Sequence, residues 1–241
     1  MAGARLDLPD RVAHHASTVL RLRPADEMTL FDGTGGEYRA QIVASDRRRV
    51  SVELTHWSAV ERESLLPVTL VQALQAGEKM DLTVQKAVEL GVARIVPVLS
   101  RRSVPRLAGE RAGRRLEHWR AVISAACEQC GRNRLPELLP VEPLASWLAR
   151  PQPAGARRLM LAAGAACSLA RVPPPLAGQP VELLVGAEGG LAAEEVQLAA
   201  LSGFLSVRLG PRVLRTETAG LAALAAMQVL WGDFKEETTD V

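Results

Sequence analysis

Residues 181–190 read Val-Glu-Leu-Leu-Val-Gly-Ala-Glu-Gly-Gly, and residues 205–219 read Leu-Ser-Val-Arg-Leu-Gly-Pro-Arg-Val-Leu-Arg-Thr-Glu-Thr-Ala. In both stretches a strand-like apolar run ends in glycine and an alanine-rich helical segment follows. We call 186–190 the first turn and 209–219 the second turn. Strands that end in such turns and lead into helices expose backbone groups at the carboxyl edge of a sheet, where open α/β folds bind small molecules. The two turns therefore predict an α/β fold with a ligand site.

The remainder of residues 67–241 supports this prediction, because strand and helix patterns alternate along it. Predicted strands cover 68–74, 94–98, 135–139, 159–163, 181–185 and 205–209, and predicted helices cover 79–90, 111–130, 144–149, a segment from 191, and 216–231. Such alternation is typical of a parallel sheet with helices on both faces.

Residues 1–64 have a different pattern. A short helical stretch at 9–20 precedes short strand-like runs at 28–31, 38–43 and 50–57, which are separated by turns rich in glycine and aspartate. This pattern predicts a small β-barrel or antiparallel sheet. The charged segment 58–66, which precedes Pro67, is the predicted linker between the two domains.

The charge of the chain is unevenly distributed. The net charge is only +2, but residues 94–134 contain ten arginines and three acidic residues. This excess could neutralise nucleic-acid phosphates, or it could form a solvated helix face, and charge alone favours neither.

Composition argues against a membrane protein and a zinc protein. No run of about 18 apolar residues is present, and the N-terminus has no signal-peptide pattern, so we expect a cytosolic protein that does not bind a membrane. The three cysteines and four histidines do not have zinc-site spacing, so we expect no metal.

The turns lack the GxGxxG and P-loop patterns of nucleotide-binding proteins. The turns instead suit a flat, uncharged ring such as adenine. Gly189 and Gly190 would let the backbone approach such a ligand closely, and apolar walls would come from Leu184, Leu209, Val213 and Leu214. The alternative is that each turn only reverses the chain. Similarly, Thr216 or Thr218 could cap the last helix, or Arg215 and Glu217 could face a polar substrate.

Several segments resemble the ribosomal small-subunit methyltransferase E family. They are 85–92 with Pro97 and 101–103, then 126–132 with 135–136, the two turns, and in the N-terminal part 14–15, 19–21 and 31–38. The resemblance implies a SPOUT-class methyltransferase, with a PUA-like β-barrel before an α/β domain that contains a trefoil knot. It also implies a homodimer that uses S-adenosylmethionine to methylate N3 of a uridine in 16S rRNA.

The same resemblance implies roles for individual residues. The predicted cofactor-binding residues are Leu184, Gly186, Glu188, Gly189, Gly190, Leu209, Gly210, Val213, Leu214 and Thr218. Glu217 is the predicted base, or the residue that orients one, and Arg215 would balance the charge of a uracil anion. The predicted rRNA contacts are Arg21, Arg23, Arg101, Arg102 and Arg132.

Three departures from the family pattern predict weaker binding of the cofactor or of RNA. Ala187 stands where proline is usual in the first turn, which predicts somewhat weaker cofactor binding. Ala76 at a position often held by lysine and the missing Pro-Arg-Phe-like opening strand predict weaker RNA binding. The alternative function is a non-catalytic RNA-binding or ribosome-assembly module with the same fold. A nicotinamide oxidoreductase is disfavoured because its GxGxxG signature is absent.

Overall fold

A computed structural model describes residues 3–46, 49–104, 109–151 and 155–234. Its contacts divide the chain into two units, residues 1–62 with 131–135, and residues 63–130 with 136–241. The boundary after Arg62 falls inside the segment that the sequence suggested as a linker. Residues 131–135 in the first unit were not foreseen.

The first unit contains a four-stranded antiparallel sheet in the order β1-β4-β3-β2. Its elements are β1 (Arg5–Asp7), α1 (Asp10–His14), a π-helical turn (His15–Val19), β2 (Glu27–Leu30), β3 (Glu37–Ser45) and β4 (Val50–Ser58). Alternate residues of β3 and β4, including Ile42, Val50 and Val52, are buried against Ala13 and Ala16. The sequence predicted the antiparallel strands but missed β1, which has only three residues.

Residues 131–135 belong to this unit through contacts that are distant in sequence. Leu135 N–H donates to Gly33 O at 3.1 Å, and Arg134 Nε lies 2.7 Å from Glu61 Oε2. The predicted strand at 135–139 is therefore shortened to two residues in the second unit.

The second unit is an eight-stranded parallel sheet in the order β10-β12-β9-β11-β5-β6-β7, with β8 also paired to β6. Its strands are β5 (Val68–Ala73), β6 (Arg94–Leu99), β7 (Glu137–Leu138), β8 (Glu142–Pro143), β9 (Arg157–Leu161), β10 (Cys167–Ser168), β11 (Val181–Val185) and β12 (Leu205–Arg208). Its helices are α2 (Lys79–Glu89), α3 (Gly109–Cys130), α4 (Leu144–Leu148), a 3-10 turn (Leu169–Arg171), α5 (Ala193–Leu201) and α6 (Thr216–Trp231). The predicted α/β fold with a parallel sheet is confirmed, although the sequence missed the two-residue strands β8 and β10.

Helices cover both faces of this sheet. Val71 and Leu184 face the cluster formed by α4 and α5, which includes Trp147 and Phe204 with ring centroids 6.0 Å apart. Gly220 of α6 packs on the other face, where an added Cβ would lie 3.5 Å from Val185 Cγ2. Because both faces are covered, every residue of β5 and β11 is buried. The largely apolar runs that predicted these strands reflect this burial, although β5 also buries Thr69 and Gln72 and β11 buries Glu182.

Candidate functional site

The two turns meet in one pocket at the carboxyl edge of the second unit's sheet. The pocket has a volume of about 340 Å³. Apolar side chains and alanines from β9, β11, β12 and the turns that follow them form most of its walls, and charged side chains enter it from α2, the first turn, β12, the second turn and α6. The lining residues include Lys79, Gly186, Glu188, Leu209, Arg215 and Glu217.

Most of the predicted cofactor residues line this pocket. They are Gly186, Glu188, Gly190, Leu209, Gly210, Val213 and Leu214. Leu184, Gly189 and Thr218 do not line it: Leu184 is fully buried in the core beside α4 and α5, and Gly189 and Thr218 are exposed. Leu184 belongs instead to the core cluster that also contains Met160 and Ala187, two residues that line the pocket.

The first turn has room for glycine alone at its first position. A Cβ on Gly186 would lie 2.8 Å from the backbone carbon of Gly190 and 3.0 Å from Leu191 N, and neither backbone atom can move aside easily. The turn closes where Gly190 N–H donates to Ala187 O at 2.8 Å, with Gly190 at φ +70°. Ala187, at the position where the resemblance suggested proline, is only 3% exposed and packs in the core.

A buried hydroxyl joins the second turn to the first. Thr216 Oγ1 donates to Gly186 O at 2.5 Å and lies 3.3 Å from the side-chain nitrogens of both Gln72 and Gln75. Gln75 Oε1 in turn accepts from Thr83 Oγ1 at 2.8 Å. All four polar side chains are at most 9% exposed. We call Thr216, Gln72 and Gln75 the polar clamp.

The polar clamp bears on the interpretation that Thr216 or Thr218 caps α6. The N-cap residue of α6 is Arg215, and none of the described side chains forms a cap hydrogen bond to the helix. The capping interpretation of Thr216 is therefore wrong, because its hydroxyl bonds a carbonyl 30 residues earlier in the chain. No sequence pattern pointed to Gln72, which lies in a strand that was predicted as buried core, or to Gln75, two residues after the end of that strand.

Two carboxylates from different turns enter the same pocket. Glu188 Oε1 accepts from Ala76 N at 3.1 Å and from Lys79 Nζ at 3.3 Å. Partial burial alone would raise the pKa of Glu188, but the hydrogen bonds from Ala76 and Lys79 outweigh it, so the pKa is lowered. Glu217 Oε2 is buried, has no hydrogen-bond partner among the described residues, and lies 3.9 Å from Lys79 Nζ.

Arg101 and Arg102, two of the predicted RNA contacts, lie beside the first turn. Arg102 Nη1 donates to Gly189 O at 2.6 Å, and Arg101 N donates to Glu195 Oε1 at 2.8 Å. Both arginines are exposed. They therefore place positive charge at the rim next to the pocket.

The other predicted RNA contacts lie in the first unit. Arg21 and Arg23 are exposed, and Arg21 has a positive φ of 55°. Arg132, in the segment 131–135 of this unit, is only 4% exposed, so this structure does not support the expectation that it contacts RNA from the surface. Arg106, one of the ten clustered arginines, lies outside the described residues.

The described ranges contain no group of three or more histidine, cysteine or acidic side chains that could hold a metal ion. None of the helices described is long and apolar enough to cross a membrane.

Comparison with known proteins gives consistent results for both units. A family described as RNA methyltransferase domain matches residues 61–228, and one described as RNA methyltransferase PUA domain matches residues 8–55. A ribosomal RNA small subunit methyltransferase E from Mycobacterium bovis is 34% identical, with 94% of this chain and 87% of that protein covered. A protein of the same description from Buchnera aphidicola is 30% identical, with coverage of 95% and 92%.

Solved structures resemble this chain over nearly its whole length. A ribosomal RNA small subunit methyltransferase E from Neisseria gonorrhoeae, bound to S-adenosyl methionine, has a TM-score of 0.91 and 42% identity, with 98% of this chain and 96% of that chain covered. A putative methyltransferase from Legionella pneumophila, in complex with the cofactor SAM, has a TM-score of 0.90 and 36% identity, with coverage of 97% and 95%.

Proposed function

This chain belongs to the ribosomal RNA small subunit methyltransferase E family, and from that premise we propose that it methylates N3 of one uridine in 16S rRNA with S-adenosylmethionine as the methyl donor. The observation that carries the proposal is the single pocket built by both turns, which has the volume expected for a small-molecule site. The alternative of a non-catalytic RNA-binding module is not favoured, because the pocket and its polar residues are intact.

The residues present fit S-adenosylmethionine. Leu209, Val213 and Leu214 offer apolar contact to the faces of an adenine ring, and backbone groups of the two turns can bond its edge. Glu188 and Glu217 provide negative charge near a donor that carries a sulfonium and an amino group. When bound, S-adenosylmethionine supplies an electrophilic methyl group.

The protein's own task is to position uracil and to accept a proton. Uracil N3 is a poor nucleophile until its proton leaves, so a proton acceptor is required near the methyl group. We assign this role to Glu217, or to a water that Glu217 orients, because Glu217 lines the pocket at the start of α6 beside Arg215, whereas the other pocket carboxylate, Glu188, is held by hydrogen bonds from Ala76 and Lys79. Arg215, exposed at the pocket mouth, would balance the charge that develops on the uracil.

Recognition of the RNA would rest on backbone contacts. Arg101 and Arg102 beside the first turn, with Arg21 and Arg23 in the PUA unit, are the proposed phosphate contacts. Only 3% of the chain is aromatic, so stacking of bases on aromatic rings would contribute little.

The finer features of the fold and assembly are also proposals. Strand order supports a trefoil knot of the SPOUT class, since β12 lies on the other side of β9 from β11. The four-stranded sheet supports a PUA-like β-barrel in residues 1–64, with the methyltransferase domain in 67–241. The family resemblance supports a homodimer, and an rRNA substrate supports a cytoplasmic location.

Two experiments test the function. Isothermal titration calorimetry with S-adenosylmethionine should give saturable binding at micromolar to millimolar concentration. Incubation of 16S rRNA and of small ribosomal subunits, each unmodified at the site, with labelled donor should then give one N3-methyluridine on mass mapping of nucleosides. Binding without methyl transfer to either substrate would favour the assembly module, and neither binding nor transfer would reject the proposal.

A further inference from the structure

One of the arginines of the helix α3 differs from the others. Arg111, Arg114 and Arg120 are exposed. The side chain of Arg115 is 32% exposed, against 72% for that of Arg114. The charge of this segment left open whether its arginines bind phosphates or form a solvated face, and the contacts of Arg115 indicate a different role.

Arg115 connects α3 to the loop that precedes α2. Its Nη2 donates to Gly77 O at 3.0 Å and lies 3.1 Å from Asp81 Oδ1. Its guanidinium carbon lies 5.5 Å from the centroid of the Trp119 ring, which is within the range of a cation–π contact. One side chain of α3 therefore contacts both the loop, at Gly77, and the first turn of α2, at Asp81.

Other residues of α3 support the same attachment. Trp119 is only 1% exposed, and its Nε1 donates to Asp81 Oδ1 at 2.9 Å. His118 Nε2 lies 2.9 Å from Asp81 Oδ2. Because both carboxylate oxygens of Asp81 have partners on α3, the start of α2 is anchored to that helix.

The anchored segment reaches the first turn through Glu188. Ala76 N–H donates to Glu188 Oε1 at 3.1 Å, and Lys79 Nζ donates to the same oxygen at 3.3 Å. Ala76 directly precedes Gly77, whose carbonyl Arg115 holds. Glu188 lines the pocket, whereas Arg115 does not. The position of a pocket carboxylate therefore depends on a loop that α3 holds in place.

We propose that Arg115 is a positioning residue for the methyl donor: it holds the loop 76–79 against α3, and this loop fixes Glu188 where the carboxylate faces the positive groups of S-adenosylmethionine. A carboxylate that is already fixed binds a cationic group more tightly than a mobile one, because less conformational freedom is lost on binding. The inference rests on the proposed use of S-adenosylmethionine, and it adds an arginine outside the pocket to the residues that set its affinity.

The test compares Arg115→Met with Arg114→Met, a matched control. Methionine keeps an unbranched apolar stem and removes the charge and the hydrogen-bond donors. Arg114 lies on the same helix, pairs with Glu110 at 3.5 Å and does not line the pocket. Calorimetry with S-adenosylmethionine in the absence of RNA gives the Kd, and urea unfolding identifies the variants that are folded. Arg115→Lys, which keeps the charge, is a second variant at the same position.

We expect the Kd of Arg115→Met for S-adenosylmethionine to rise about tenfold, the scale of one lost charge-assisted hydrogen bond, and that of Arg115→Lys about threefold. Arg114→Met should stay within about twofold of the parent, because it removes an exposed ion pair. Arg115→Met combined with Glu188→Gln should bind no more than about twofold more weakly than Glu188→Gln alone, because both changes act on the same carboxylate.

Hydrogen exchange in the protein without S-adenosylmethionine gives a readout that does not depend on binding. Exchange of the Ala76 amide, measured by NMR, should be at least about fivefold faster in Arg115→Met than in the parent, because its hydrogen bond to Glu188 opens more often. The control amide is Ala162 N–H, which donates to Val207 O at 2.9 Å at the end of β9. Its exchange rate should stay at the parent value.

A Kd equal to that of the parent in the folded Arg115 variants would overturn the inference, and so would equal losses in Arg115→Met and Arg114→Met. Additive losses with Glu188→Gln, unchanged exchange at Ala76, or equally faster exchange at Ala76 and Ala162 would also overturn it. Each of these results leaves the proposed function intact. A parent protein that does not bind S-adenosylmethionine would instead reject the proposed function, and the role of Arg115 with it.

Discussion

Replacement of Thr216 by valine tests whether the polar clamp holds the two turns together. Valine keeps the shape of threonine but lacks the hydroxyl. In the structure this hydroxyl bonds Gly186 O and the amide nitrogens of Gln72 and Gln75. The substitution therefore removes three hydrogen bonds from a buried region without creating a large cavity.

The cost can be estimated from the groups that lose partners. Gln72 Nε2 keeps a hydrogen bond to Ala73 O at 3.0 Å, so it contributes little. The Gln75 amide loses its hydrogen bond to Thr216, and Gly186 O keeps only a contact of 3.5 Å with Gln72. A buried polar group without a partner costs about 1–3 kcal/mol, so we expect the free energy of unfolding to fall by about 2–4 kcal/mol.

The matched control is Thr218→Val, which makes the same chemical change two residues later at an exposed position of α6. Its free energy of unfolding should change by less than about 0.5 kcal/mol. Urea unfolding gives the free energies, with circular dichroism and tryptophan fluorescence recorded together to separate the two units. The melting temperature of Thr216→Val should fall by roughly 5–15 °C.

The clamp also predicts a functional effect, because the first turn forms the pocket wall. Calorimetry should show at least a tenfold weaker affinity of Thr216→Val for S-adenosylmethionine. This factor corresponds to a loss of about 1.4 kcal/mol or more of binding free energy. If Thr216→Val unfolds like the parent and binds with the same affinity, the polar clamp does not hold the two turns together.

Three further predictions follow from the same site. Gly186→Ala should weaken S-adenosylmethionine binding at least tenfold in calorimetry, because its Cβ would lie 2.8 Å from the backbone carbon of Gly190; unchanged affinity would refute the close approach. Glu217→Gln should lower the single-turnover rate about 100-fold or more with donor affinity nearly kept, and an unchanged rate would remove Glu217 as proton acceptor. The lowered pKa of Glu188 stabilises the fold above the pKa of the unfolded chain, and this contribution is lost as the pH falls through the folded value. The stability difference between the parent and Glu188→Gln in urea unfolding should therefore shrink below about pH 4, and a constant difference would contradict the assignment.

The sequence predicted the fold class well because its signals are local. A fully buried parallel strand appears as a largely apolar run, which Glu182 alone interrupts in β11, and β11 and the helix α6 were located almost to the residue. Short elements contain too few residues to show an alternation of apolar and polar side chains. The sequence patterns therefore missed the two-residue strands β8 and β10 and the three-residue strand β1. The family resemblance supplied the roles of the site residues, which periodicity alone does not contain.

Local sequence patterns establish where the chain turns, because two largely apolar runs, each followed by a glycine-containing turn and a helix, predict a site at the edge of a sheet. The residues that lie opposite those turns are set by tertiary packing. Lys79 meets Glu188 across 109 residues of chain, and Gln72 meets Thr216 across 144. The order of the parallel strands in the sheet determines which distant residues become neighbours. That order depends on how the strands and the helices between them pack together, and a local sequence pattern does not contain this information.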